Sequence, residues 1–111
     1  MPRYQMVVMS DPVEGCEKDY NQWYQDVHLP QLVALEGIRS ARRLRRVRTL
    51  GERETYSYMV IYEIETEDID AVLDNLISVA MAGEITMSDA IDRENAHAAI
   101  YEELGPVVAE P

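Results

Sequence analysis

At 111 residues the chain has the length of a single domain, and 47% apolar with 28% charged residues is the balance of a sequence that folds around a core. A net charge of −11, from 10 basic and 21 acidic side chains, repels nucleic-acid phosphates and offers no polybasic face to anionic lipid, so neither nucleic acid nor a membrane is an expected partner. Cys16 is alone, which leaves no intrachain disulfide and no thiolate zinc cluster; with no apolar run near 20 residues and no signal-peptide pattern in MPRYQMVVMS, a cytoplasmic protein is expected.

Residues 3 to 9, RYQMVVM, are rich in β-formers and are closed by Ser10, Asp11, Pro12 and Gly15, which predicts a strand and a loop. From Glu17 the apolar spacing becomes helical, through Tyr20, Trp23, Tyr24 and Val27, and Pro30 predicts a stop near His28. The segment PQLVALEG then reads as a short second helical piece, opened by Pro30 and ended by Gly37. Residues 38 to 49 carry six arginines, and their position between Gly37 and the turn Gly51-Glu52-Arg53 favours the first arm of an antiparallel hairpin. Its second arm is TYSYMVIYEIE, with Tyr56, Tyr58, Val60, Tyr62 and Ile64 on one face and Ser57, Met59, Ile61 and Glu63 on the other.

Thr66 is the expected N-cap of the next helix, whose apolar stripe is Ile69, Val72, Leu73, Leu76, Ile77 and Ala80. After Gly83 the stretch EITMSDAIDREN reads as a polar loop or short helix leading to a last strand, HAAIYEEL. The order strand, helix, strand, strand, helix, strand is the ferredoxin-like βαββαβ arrangement: one α+β domain over residues 1–111, a four-stranded antiparallel sheet with its helices on one face. Apolar residues on both faces of the Tyr-rich strand require cover on the second face too. A second copy supplies it in a homodimer, a dimeric α/β barrel.

Asn21, Tyr24 and His28, spaced i, i+3 and i+7, align an amide, a phenol and an imidazole along one stripe of the first helix, with Trp23 beside it. They are the candidate catalytic residues: His28 moves a proton near neutral pH while Asn21 or a tyrosine hydroxyl polarises a substrate oxygen. The competing role for His28 is to cap the carbonyls of a helix ending there. Trp23, Tyr4, Tyr58 and Tyr62 are candidate walls of a pocket for an aromatic or polyphenolic ligand, and Arg43 is the candidate holder of a carboxylate or enolate. The other arginines of the run are expected to bridge acidic residues across strands or subunits. His97 opens the last strand, far in sequence from His28, and no motif supports a metal site shared by the two. Met87, Ser88 and Asp89 sit in a loop that caps its own turn or closes over the cavity. No P-loop, GxGxxG, GxSxG or HExxH string is present, and neither metal nor cofactor is expected.

Pro12 and Gly15, the string N-x-W-Y-x-x-x-H-x-P from Asn21 to Pro30, Gly37, and Ala41 with Arg43 together resemble the opening of the EthD-like group of small dimeric α/β-barrel proteins. The match covers residues 3 to 48; beyond it, Met87-Ser88-Asp89 and Ile100-Tyr101 are similar in kind. The resemblance implies a ferredoxin-like fold, homodimerisation and a hydrophobic cleft with His28 as its functional histidine. The wider superfamily spans cofactor-free monooxygenases, cyclases, isomerases, haem-degrading enzymes and members without known activity, so the reaction stays open. The leading expectation is a cofactor-independent enzyme acting by proton transfer on a cyclic, aromatic or polyketide-like molecule. The alternative is a non-catalytic binding or accessory protein for a lipophilic metabolite, and a haem protein is a third option.

Overall fold

The computed structural model describes residues 1–111 as a four-stranded antiparallel sheet with helices on one face, an α+β ferredoxin-like architecture. Strand β1 (Arg3–Ser10) is central, flanked by β3 (Tyr58–Glu65) and β4 (His97–Glu102), and β2 (Ile38–Arg45) forms the far edge, giving the order β2-β3-β1-β4. Alternation decides the faces. Met6, Tyr58, Val60, Tyr62 and Ile64 point to the helices and are buried. Val7, Met9, Met59 and Ile61 point the other way and are only half-buried.

Pro30 does not stop the first helix. Helix α1 (Glu17–Trp23) runs into a π-helical turn (Tyr24–His28) and then α2 (Leu29–Val33), one continuous rod. Proline removes one donor and clashes with the carbonyl four residues back, here that of Asp26. The widened turn just before Pro30 gives that carbonyl room, and the Leu29 N–H bonds Tyr24 five residues earlier. His28 therefore lies inside the rod, and the competing role of capping a helix that ends there is overturned.

Gly37, at φ +89°, reverses the chain into β2 while its α-carbon packs against Val72 of the next helix. The hairpin forms, but its turn is wider than expected: β2 ends at Arg45 and β3 begins at Tyr58, so Tyr56 falls outside the ladder. Helix α3 (Ile69–Met81) is capped by Asp68, whose carboxylate accepts from the Ala71 N–H at 3.1 Å; Thr66, the expected cap, instead accepts from the Asp68 N–H. Of the α3 stripe only Val72 is buried, and Ile77 is exposed. Core space is taken instead by Ile85, Ala90 and Ile91, in the stretch read as a polar loop, which is tied to residues 11–13 by Val13 N–H to Ala90 O, 2.7 Å, and Asp92 N–H to Asp11 O, 3.0 Å. No helix is long and apolar enough to cross a membrane.

Candidate functional site

The helix-facing side of β3 and the rod meet through aromatic rings. Tyr20, Tyr24 and Tyr62 are fully buried, Tyr58 and Trp23 nearly so. Tyr20 packs edge-on to Tyr24 at 5.2 Å and tilted against Tyr58 at 5.1 Å, the contacts aromatic quadrupoles favour. At the end of β1, buried Ser10 shares a 2.6 Å hydrogen bond with the Tyr20 hydroxyl. Burial raises the Tyr20 hydroxyl to about 12, raises that of Tyr24, and pushes that of Tyr62 further still, so all three remain protonated phenols at neutral pH.

Alternation along β2 turns Arg43 toward the helices, where its guanidinium lies over the rings of Tyr24, Tyr58 and Tyr20 at 5.1, 5.5 and 5.8 Å. It donates to the Asn21 side-chain oxygen at 2.6 Å and to the Asn21 carbonyl at 3.3 Å, and the Asn21 amide donates to the Tyr58 hydroxyl at 3.2 Å. Beside this chain of bonds opens a groove of about 300 Å³ lined by Asn21, Arg43, Leu44, Arg45 and Tyr58.

His28 also packs against Tyr24. Its ring stacks on Trp23 at 4.5 Å and meets Tyr24 edge-on at 5.2 Å. Burial lowers its pKa from 6.5 to about 4, so the imidazole is a neutral base at physiological pH. Trp23 is fixed in turn by its indole N–H, which donates to the Thr86 carbonyl at 2.9 Å, and Gln31 clamps the same Thr86 from both sides of its amide. His28 Nδ1, Tyr62 Oη and Arg43 Nε are buried without a hydrogen-bond partner from the chain, and all three belong to residues around Tyr24.

The residues singled out by sequence are thus partly reunited. Tyr24, Tyr58, Tyr62, Arg43 and Asn21 form one cluster, and Trp23 and His28 adjoin it. The single stripe of Asn21, Tyr24 and His28 does not survive: the π turn rotates His28 back toward Trp23, and Asn21 turns to β2. The open groove lies at Arg43, not at His28. Tyr4 stands apart, paired with Ile64 at the opposite end of the strand pair from Ser10 and Tyr58, beside Arg39 and Glu103. His97 is exposed on the opposite face of the sheet, so it and His28 cannot share an ion within one chain. Ser88 caps its own loop by accepting from the Ala90 N–H. The expected cross-strand ion pairs are missing too: the sole ion pair joins the Met1 ammonium and Glu67 at 4.0 Å, and β3 sets Ile61, Val60 and Tyr58, not acids, opposite Arg42, Arg43 and Arg45. Ser10, Tyr20 and Thr86 were not foreseen; for Tyr20 the spacing of four to Tyr24 was the available signal.

The sequence model of a family described as a domain of unknown function, DUF4286, matches residues 8–77, more than half the chain. The chain belongs to the DUF4286 family. The matched segment holds β1 from Val8, the rod, β2, β3 and most of α3, so every residue of the tyrosine cluster lies within the DUF4286 match. A crystal structure of an ethyl tert-butyl ether d (EthD) family protein from Bacillus halodurans C-125 superposes on this DUF4286 chain with a TM-score of 0.64 at 16% identity, covering 94% of this chain and 100% of that one. The fold is EthD-like, as the sequence resemblance implied. No curated protein matches the sequence.

Proposed function

We propose that this DUF4286 protein is a small cofactor-independent enzyme that binds a cyclic or aromatic molecule against the tyrosine cluster and moves a proton on it with His28. The observation that carries this reading is a set of three orphaned buried polar atoms, on His28 and Arg43, which pack against the Tyr24 ring, and on Tyr62, whose hydroxyl feels the charge of Tyr24 and Arg43. Proteins pair nearly all such atoms, because an unsatisfied buried donor or acceptor costs about 1–3 kcal/mol. Three in residues of one cluster suit a site whose partners arrive with a ligand. A π turn adds weight, since such turns are frequent at functional sites, and this one, while making room for Pro30, also sets His28 against Trp23.

The chemistry follows from the states of the groups. A neutral imidazole can take a proton from carbon next to a carbonyl, protonated phenols can donate to the oxygen that becomes negative, and the guanidinium can balance that charge. Panels of cyclic ketones, lactones and phenols incubated with the protein in D₂O test the reading by NMR. Accelerated exchange of carbon-bound hydrogen, lowered at least about hundredfold in His28→Gln, supports it. A ligand retained unchanged, with no exchange in either protein, would assign the site to the non-catalytic binding of a lipophilic molecule.

The partner reading is a second copy of the chain. Val7, Met9, Met59 and Ile61 form an apolar surface on the sheet face that the helices leave bare, beside Leu44 and Tyr101, both exposed. A twofold pairing of these faces closes an eight-stranded barrel. Light scattering at micromolar concentration should give twice the chain mass, and Ile61→Asp should halve it.

A further inference from the structure

Arg43 is a cation without a counter-ion. No carboxylate lies within 4.0 Å of its guanidinium, although acidic residues outnumber basic ones two to one in the chain. Taking a guanidinium partly out of water is costly unless an anion or enough acceptors replace the solvent, and three tyrosine faces return only part of that cost.

The hydrogen bonds show what the site still lacks. Arg43 can only donate, which fixes the orientation of the Asn21 amide: both Asn21 oxygens accept from the guanidinium, and its amide nitrogen donates to the Tyr58 oxygen. The acceptors are therefore consumed within the cluster. Two of the five guanidinium N–H groups are used, and the Tyr58 hydroxyl, already accepting from Asn21, keeps its own proton to give. Arg43 and Tyr58 both line the groove of about 300 Å³, with Arg45, a second arginine lacking a carboxylate partner, at its rim and Leu44 as its apolar wall. A groove furnished with unspent donors and two positive charges selects an anion.

We infer that this groove receives a small organic carboxylate, whose oxygens accept from Arg43 and Tyr58 while its carbon body lies along Leu44 and the Tyr58 ring. A carboxylate matches the planar fork of the guanidinium, and the volume is at the lower end of small-molecule sites, enough for a compact acid. The inference rests on the reading of the tyrosine cluster as a small-molecule site, and adds the charge and the head group of what it takes.

Benzoate is the probe, with benzamide as its neutral counterpart, titrated into the full chain at low ionic strength and followed in backbone amide NMR spectra. Benzoate should give saturable shifts at Asn21, Arg43 and Tyr58 and bind at least tenfold more tightly than benzamide. Arg43→Gln should weaken benzoate at least tenfold. Tyr58→Phe, which keeps the ring and removes one oxygen, should weaken it several-fold and serves alone if Arg43→Gln fails to fold. Equal affinity for the two probes, shifts confined to other surfaces, or undiminished benzoate binding in Tyr58→Phe overturns the inference. A failure of anion recognition is seen in this titration and a failure of proton transfer in the deuterium exchange.

Discussion

The rod of residues 17–33 buries Tyr20, Trp23, Tyr24, Leu29 and Leu32 against the sheet, whereas α3, with the cleaner amphipathic pattern, buries only Val72. Ile77 and Met81 of α3 are 54% and 84% exposed. The irregular rod carries every polar group of the candidate site that lies on a helix, and the regular helix carries none. Regular periodicity marks where a helix is, not how deeply it is seated. The rod is held by aromatic volume and by hydrogen bonds to Thr86, Arg43 and Tyr58, and the same groups furnish the chemistry.

This contrast predicts the largest effect at Trp23. Trp23→Ala opens a cavity in the packed side and should cost about 3–5 kcal/mol in urea unfolding, while Ile77→Ala on α3 should stay within about 0.5 kcal/mol. Comparable losses at the two positions would erase the distinction.

The pH dependence should also belong to the rod. The folded pKa of His28, about 4, lies below its unfolded value of 6.5, so between those limits the unfolded state binds the extra proton. Stability from this group is complete above pH 6.5 and declines as pH falls toward 4, by at most about 1.4 kcal/mol per pH unit. His28→Gln should flatten that part of the wild-type curve, measured as the difference between the two proteins so that the many carboxylates cancel. A difference independent of pH would place His28 in water.

In the turn that follows the rod, where the chain meets α3, Gly37→Ala should cost about 1–2 kcal/mol, since its φ of +89° disfavours a side chain and the added methyl would lie 2.7 Å from a Val72 methyl. Combining it with Val72→Ala should recover part of the packing term and none of the backbone term. The smallest effect is expected at the start of α3, where Asp68→Ala should cost about 1 kcal/mol and Thr66→Ala less, in keeping with which side chain caps Ala71.

Element order and strand faces were legible because hydrophobic alternation and turn residues are local signals, whereas the inward turn of Arg43 depends on the register shift between Ile38 and Ser40, which lets Ile38 and Arg43 face the helices together. The fate of Pro30 was not legible, since whether a proline breaks a helix or widens one turn of it depends on what surrounds that turn. Trp23 was expected beside the stripe that holds His28, but their direct stacking was hidden for the same reason: residues five apart share a face in a π turn and diverge in an α-helix. Ile85, Ala90 and Ile91 looked like loop because their neighbours are polar, and they are buried only through long-range bonds to residues 11–13.

The central claim is that the cluster around Tyr24 is a ligand site, and a screen of small aromatic acids, ketones and phenols against the isotope-labelled protein tests it most directly. Bound compounds should shift the Trp23 indole N–H, the His28 ring and the amides of Asn21, Arg43 and Tyr58 together. Binding confined to the bare sheet face at Val7 and Ile61, with those signals unmoved, would contradict the account.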